Sequence, residues 1–330
     1  MTLFLLFIGI LLLAHGLGAI QATNVIAARI AEENPPEGIF VPVPGGRLHL
    51  IDLGAGHSGE KLPVLLLHGA TSNARDIVYG IGEDLARQRR VIAVDRPGHG
   101  WSGRPNGRGD ATTAAQAKLV MAALDGHGID RFIVVGHSLA GSLATLLAVE
   151  HRDRVAGLVV LAGATHPWPG GIAWYYRLAA LPVLGRLFVH TVMTPVGSWS
   201  LKKSVEDSFR PGEAPADYVR KASAALVLRP DEFRWNGQDV AALKACLTSQ
   251  SPRYHEITAA TAIVADPADH VVSTSIHAET LHRQVQGSRL VLVPGAGHQI
   301  HYTARQVVLE EINRLAQVAD DRGSARQAAQ

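Results

Sequence analysis

Six short runs of consecutive apolar residues punctuate the chain, around Val64, Val91, Phe132, Leu158, Ala262 and Leu290. None alternates with polar residues, so each predicts a strand buried on both faces, as in a parallel sheet covered by helices. Stretches of helical periodicity separate them; towards the C-terminus Val308, Ile312 and Leu315 fall on one helical face. Ahead of the first run, residues 40–43 and 47–53 flank Pro44-Gly45-Gly46, which predicts a β-hairpin. The fold class expected is α/β: a mostly parallel, doubly wound sheet with an antiparallel start, built from residues 39–164 and 253–319.

Two stretches depart from this rhythm. Residues 165–252 read as helices broken by Pro and Gly, and they hold four of the five tryptophans: Trp168, Trp174, Trp199 and Trp235. Residues 3–20 are apolar apart from His15. As a helix they would measure roughly 27 Å, near the thickness of a bilayer core. No Lys or Arg precedes this run and small-x-small cleavage positions are poor. A retained membrane anchor over residues 1–22 is therefore expected, the alternative being a signal peptide whose removal leaves a secreted or periplasmic protein. Arg29 is offset by Glu32 and Glu33, so the side of the membrane is not legible. A linker is expected over 23–38, around Pro35 and Pro36, and a disordered tail over 320–330.

Composition adds limits rather than chemistry. With 330 residues, 47% hydrophobic and 18% charged, the chain can bury a large core. The 31 basic and 29 acidic residues nearly cancel, and no basic stripe interleaved with aromatics occurs, so a nucleic-acid partner is not indicated. Cys246 is the single cysteine, which excludes an internal disulfide. The histidines lack Asp, Glu or Cys at metal-ligand spacing, and no cofactor is expected.

The chemistry is carried by three loops. Strand-like residues 132–135 run into Gly136-His137-Ser138-Leu139-Ala140-Gly141, and a helix of small residues follows at once. Small residues two before and two after Ser138 suit a turn so tight that the serine hydroxyl stands above the sheet. The alternative for such a serine is a helix N-cap. A hydroxyl needs a base to take its proton, and the base a third group to orient it. His298 follows the apolar run 290–293 on the glycine turn Pro294-Gly295-Ala296-Gly297, while His301 lies three residues beyond. Asp266 and Asp269 both follow the run 262–265.

With Ser, Asp and His in that order, each just past an apolar run, the sequence resembles the α/β-hydrolase superfamily from about Phe40 to Leu315. The resemblance extends to His68-Gly69-Ala70 and to Asp95-Arg96-Pro97-Gly98-His99-Gly100-Trp101-Ser102. It implies Ser138 as nucleophile, His298 as base, and Ala70 and Leu139 as the amides of an oxyanion hole. Of the two carboxylates it favours Asp269, which precedes Val271-Val272 as in the family pattern. It makes Asp95 and His99 scaffold. It also implies that 165–252 is a helical cap inserted after the sixth strand, whose Trp168, Trp174, Tyr175 and Trp235 would line a pocket for an apolar substrate.

The expected activity is hydrolysis of a carboxylic ester or related acyl bond through an acyl-enzyme. Cofactor-free haloperoxidases, C–C bond hydrolases, lactonases and thioesterases keep the same serine, whereas dehalogenases and epoxide hydrolases need an aspartate at that position. An acyltransferase and a catalytically silent binding domain are the remaining alternatives.

Overall fold

A computed structural model describes residues 2–57 and 61–328. Its centre is one eight-stranded sheet in the order β1-β2-β4-β3-β5-β6-β7-β8. The strands are β1 (Ile39–Val43), β2 (Gly46–Leu53), β3 (Val64–Leu67), β4 (Val91–Val94), β5 (Phe132–His137), β6 (Val155–Leu161), β7 (Ala260–Ala265) and β8 (Arg289–Leu292). β1 pairs with β2, and β2 with β4, antiparallel; all other pairs are parallel. In β3 to β7 the apolar runs are unbroken because both faces are buried, whereas the run of β8, expected to be buried too, lies half-buried or exposed at the sheet edge. Within β5, Phe132 and Val134 pack under the helices Thr113–Gly126 and Ala140–Glu150, while Ile133 and Val135 face the C-terminal helix Arg305–Ala328.

Between β6 and β7 the chain leaves the sheet and folds as helices, the longest being Thr194–Phe209 and Pro230–Gln250. Proline begins the second of these, and Asp231 and Glu232 occupy its first turn, where they complement the positive end of the helix dipole.

Two segments differ from expectation. The N-terminal helix does not stop near residue 22 but runs from Thr2 to Glu33. Residues 23–33 are therefore helical rather than linker, and only 34–38 connect the helix to β1. The reason is packing: Ile30 is buried among Ala179, Val189, Leu226 and Phe233, and Ile26, one turn earlier, lies against the same cluster. The Asn34 amide donates to the Ile30 carbonyl at 2.8 Å, and the Trp101 indole donates to the Asn34 carbonyl at 3.1 Å. At the other end the last helix continues to Ala328, so residues 320–328 are helical where a disordered tail is expected; 329–330 lie outside the described residues.

Candidate active site

β5 delivers Ser138 to the C-terminal edge of the sheet with φ of 53°, a left-handed backbone that a non-glycine residue adopts only under local constraint. The constraint is visible. The Ser138 amide donates to the Leu161 carbonyl at 3.0 Å, and the following helix is drawn close to the strands. A β-carbon on Gly136 would fall 2.7 Å from the Ala144 methyl, and one on Gly141 would fall 2.7 Å from the Gly163 α-carbon. Residue 140 is alanine, and it is Gly141, one position later, that lets the helix pass close to Gly163.

His298 arrives on the loop after β8. Its Nε2 lies 2.9 Å from the Ser138 Oγ and its Nδ1 2.8 Å from an Asp269 carboxylate oxygen. An ionised carboxylate only accepts, so Nδ1 carries the proton and Nε2 presents a lone pair to the serine hydroxyl. Burial pushes the Asp269 carboxyl up, but the imidazole and the Val271 and Val272 amides outweigh it and hold the group below the usual carboxylate range. The preceding glycine is required: Gly297 has φ of +67°, and a side chain there would strike the Arg210 carbonyl. Asp266 does not reach the histidine. It accepts from the Gly297 amide at 2.6 Å and the Ala268 amide at 2.8 Å, tying the two loops together. His301 turns away as well; it is fully buried, 4.3 Å from the His137 ring. His137 donates to the His298 carbonyl at 3.1 Å. Burial, aided by the His298 charge, pushes the His137 imidazole down to about 3, so the backing of His298 stays neutral.

The loop after β3 passes directly beside the serine: a β-carbon on Gly69 would fall 2.9 Å from the Ser138 Cβ. Its orientation is set from behind by a residue noticed in the sequence only as part of a cluster. Arg96, fully buried, donates to the His68 carbonyl and to the Gly69 carbonyl, both at 3.0 Å. Because the peptide is trans, a Gly69 carbonyl pinned towards Arg96 turns the Ala70 N–H to the opposite side. Among the described residues neither the Ala70 nor the Leu139 N–H has a hydrogen-bond partner, and both residues border the same cavity. Arg96 is in turn held by Asp239 at 2.9 Å and by Gln116, also at 2.9 Å. Asp239 was not legible in the sequence, because its partner lies 143 positions away. Asp95 accepts from the Ala74 and Trp101 amides and pairs with His49, and His99 packs on His68, so both are framework.

Ser138 and His298 open into a cavity of about 860 Å³ beneath the cap, at the large end for ligand sites. Trp168, Trp174 and Tyr175 line it, joined by Tyr176, Phe188 and Phe233. Trp235 does not. On the Pro230–Gln250 helix Phe233, Val240 and Leu243 face the cavity, and Trp235 lies roughly 200° around the helix from Phe233. It packs instead against Gly98 of the turn after β4.

Comparison with known proteins agrees with this architecture. A family model described as the alpha/beta hydrolase fold matches residues 63–304. A 2-hydroxymuconate semialdehyde hydrolase of Pseudomonas putida is 32% identical over 64% of this chain and 75% of its own length. Among solved structures, an enol-lactonase from Burkholderia xenovorans LB400 superposes with TM-score 0.67 at 18% identity, over 84% of this chain and 99% of that one. A bacterial membrane phospholipase A does so with TM-score 0.62 at 18% identity, over 97% of this chain and 99% of that one. The chain belongs to the α/β-hydrolase family and is a hydrolase of that fold.

Proposed function

We propose that the protein is a serine hydrolase that cleaves a carboxylic ester or related acyl bond of an apolar substrate. The observation that carries this reading is the continuous chain Ser138–His298–Asp269, with spacings of 2.9 and 2.8 Å, at the floor of a largely apolar cavity. In this mechanism His298 takes the hydroxyl proton as Ser138 attacks the carbonyl carbon, and Asp269 stabilises the imidazolium that forms. The Ala70 and Leu139 amides hold the developing oxyanion. His298 then protonates the leaving group, and a water molecule, deprotonated by the same imidazole, releases the acid and restores the serine.

A second reading is favoured by one observation, the 32% identity to a hydrolase named for 2-hydroxymuconate semialdehyde. On it, the same three residues cleave a carbon–carbon bond adjacent to a carbonyl. Purified protein assayed on that semialdehyde, and on ester, thioester and lactone panels, separates the two. Fluorophosphonate should label the wild type, and Ser138→Ala should abolish labelling and lower kcat by several orders of magnitude while the fold survives. Labelling that persists in Ser138→Ala would refute both readings.

The N-terminal helix is proposed as a retained anchor. Over its apolar window mean hydropathy is 1.8 and only 7% of the window is buried in the protein. The packing of Thr23, Ile26 and Ile30 supports retention, because cleavage near residue 23 would cut within a helix seated on the cap.

A further inference from the structure

Large apolar side chains on a soluble surface are normally scattered. Here they crowd into one stretch of the cap, residues 174–199, with Trp174, Val183, Leu184, Leu187, Val196 and Trp199 all exposed; Trp199 is 89% and Val183 77% accessible. The elements that carry them pack in succession: Trp174–Ala179 on Val183–Phe188, the latter on the π-helical turn Val189–Met193, and that turn on the Thr194–Phe209 helix. The last two also pack on the N-terminal helix, whose exposed Phe4, Phe7, Leu11 and Leu17 extend the apolar surface.

Within this stretch the charge has one sign. No Asp or Glu occurs between Asp153 and Glu206, whereas Arg177, Arg186, Lys202 and Lys203 are all exposed. Lys202 and Lys203 pair with Glu206 and Asp207 one turn on, but among the described residues Arg177 and Arg186 have no carboxylate partner. Exposed Trp, Val and Leu fringed by these two arginines complement the boundary between headgroups and acyl chains of an anionic bilayer. Trp174 and Val196 are at once exposed and part of the cavity wall, so the mouth of the active-site cavity opens within this surface.

We infer that the apolar face of the cap rests on an anionic lipid bilayer beside the N-terminal helix, so that an ester lipid passes from the membrane into the cavity without crossing water. The inference rests on the helix being a retained anchor and on the acyl-hydrolase reading. Arg177 and Arg186 contact lipid phosphates, and the indole of Trp199 lies at the depth of the first acyl methylenes.

The test uses full-length protein reconstituted in phosphatidylcholine–phosphatidylglycerol vesicles. Lipids brominated on the upper acyl chain should quench the tryptophan emission of the wild type, and Trp199→Phe should remove part of the quenched component. The variant Val183→Asp/Leu187→Asp/Trp199→Asp alters no residue of the cavity wall. It should stay in the membrane through carbonate washing and keep its rate on a soluble short-chain ester. Its rate on a long-chain ester embedded in the vesicles should fall roughly tenfold or more, through loss of interfacial contact. Wild-type rates of that variant on the embedded ester would overturn the inference. So would Trp199 emission indifferent to brominated lipid, including the case in which a second copy of the chain covers the face and shields Trp199 from aqueous iodide as well. Extraction of the wild type by carbonate would instead refute the anchor and the inference together. Quenching reads seating whatever bond the enzyme cleaves, so a wrong substrate class would show in the ester assays alone.

Discussion

Asp266 and Asp269 stand three residues apart in one loop and are both buried, yet they serve different partners. Asp269 meets an imidazole; Asp266 meets the backbone of Gly297. Asp269→Asn should lower kcat by roughly 10³–10⁴, because an amide at that position stabilises the wrong imidazole tautomer. Asp266→Asn should act on the melting temperature and on the placement of the His298 loop, with a far smaller fall in kcat. Steady-state kinetics and thermal unfolding of the two variants decide it; the reverse order of damage would reverse the assignment. The sequence distinguished these carboxylates only through the family pattern, since two acids in one turn look alike when their partners are 29 and 31 residues away. Arg96 shows the same limit from the other side. Its presence in the turn after β4 was plain, but its grip on the Gly69 carbonyl exists only once two strands lie side by side.

Strands were the most legible elements, because burial on both faces leaves apolar runs of four to seven residues, shorter than the apolar helices at residues 3–20 and Ala140–Glu150. The exception in kind is β8, an edge strand whose residues are half-buried or exposed, and it was found through its apolar composition rather than its burial. The N-terminal helix was read correctly where lipid-like composition marks it and incorrectly where a mixed sequence packs on the cap. Residues 23–33 look like a connector because Asn24, Arg29, Glu32 and Glu33 are solvated; only Thr23, Ile26 and Ile30 reveal the seat. Replacing Ile30 with alanine should therefore cost about 2–3 kcal/mol, towards the low end for a buried Ile because one side of the helix is open. The unfolding midpoint in denaturant measures it. A connector would show no change.

Acid should weaken the whole molecule. Burial, with the nearby Arg96 charge, pushes His68 down to about 3, and burial does the same to His137. Both folded values lie below the unfolded one of about 6.5. Between those limits the unfolded chain binds protons that the folded chain refuses. The stability these groups confer is therefore complete above about pH 6.5 and is lost as pH falls towards 3, by roughly 1.4 kcal/mol per pH unit for each. The melting temperature should drop steadily from about pH 6.5 to about pH 4.5, and His137→Gln should flatten that slope. A melting temperature independent of pH over this range would contradict the neutral burial of these rings.

Asp239 grows from the cap, yet its carboxylate neutralises two guanidiniums of the core, Arg96 at 2.9 Å and Arg104 at 2.7 Å. A helical cap inserted between β6 and β7 looks like a part that could be exchanged to alter selectivity. In this protein such a trade would have a hidden condition. A transplanted cap without an acid at that position would strand two cations in the interior, at about 3–5 kcal/mol by analogy with other broken buried pairs, and would free the Gly69 carbonyl to swing. Asp239→Asn is the smallest form of that transplant and should both destabilise the protein and lower kcat. A chimera that retains the carboxylate, or a recipient core that gives up both arginines, should recover the stability, but only the former should recover the rate.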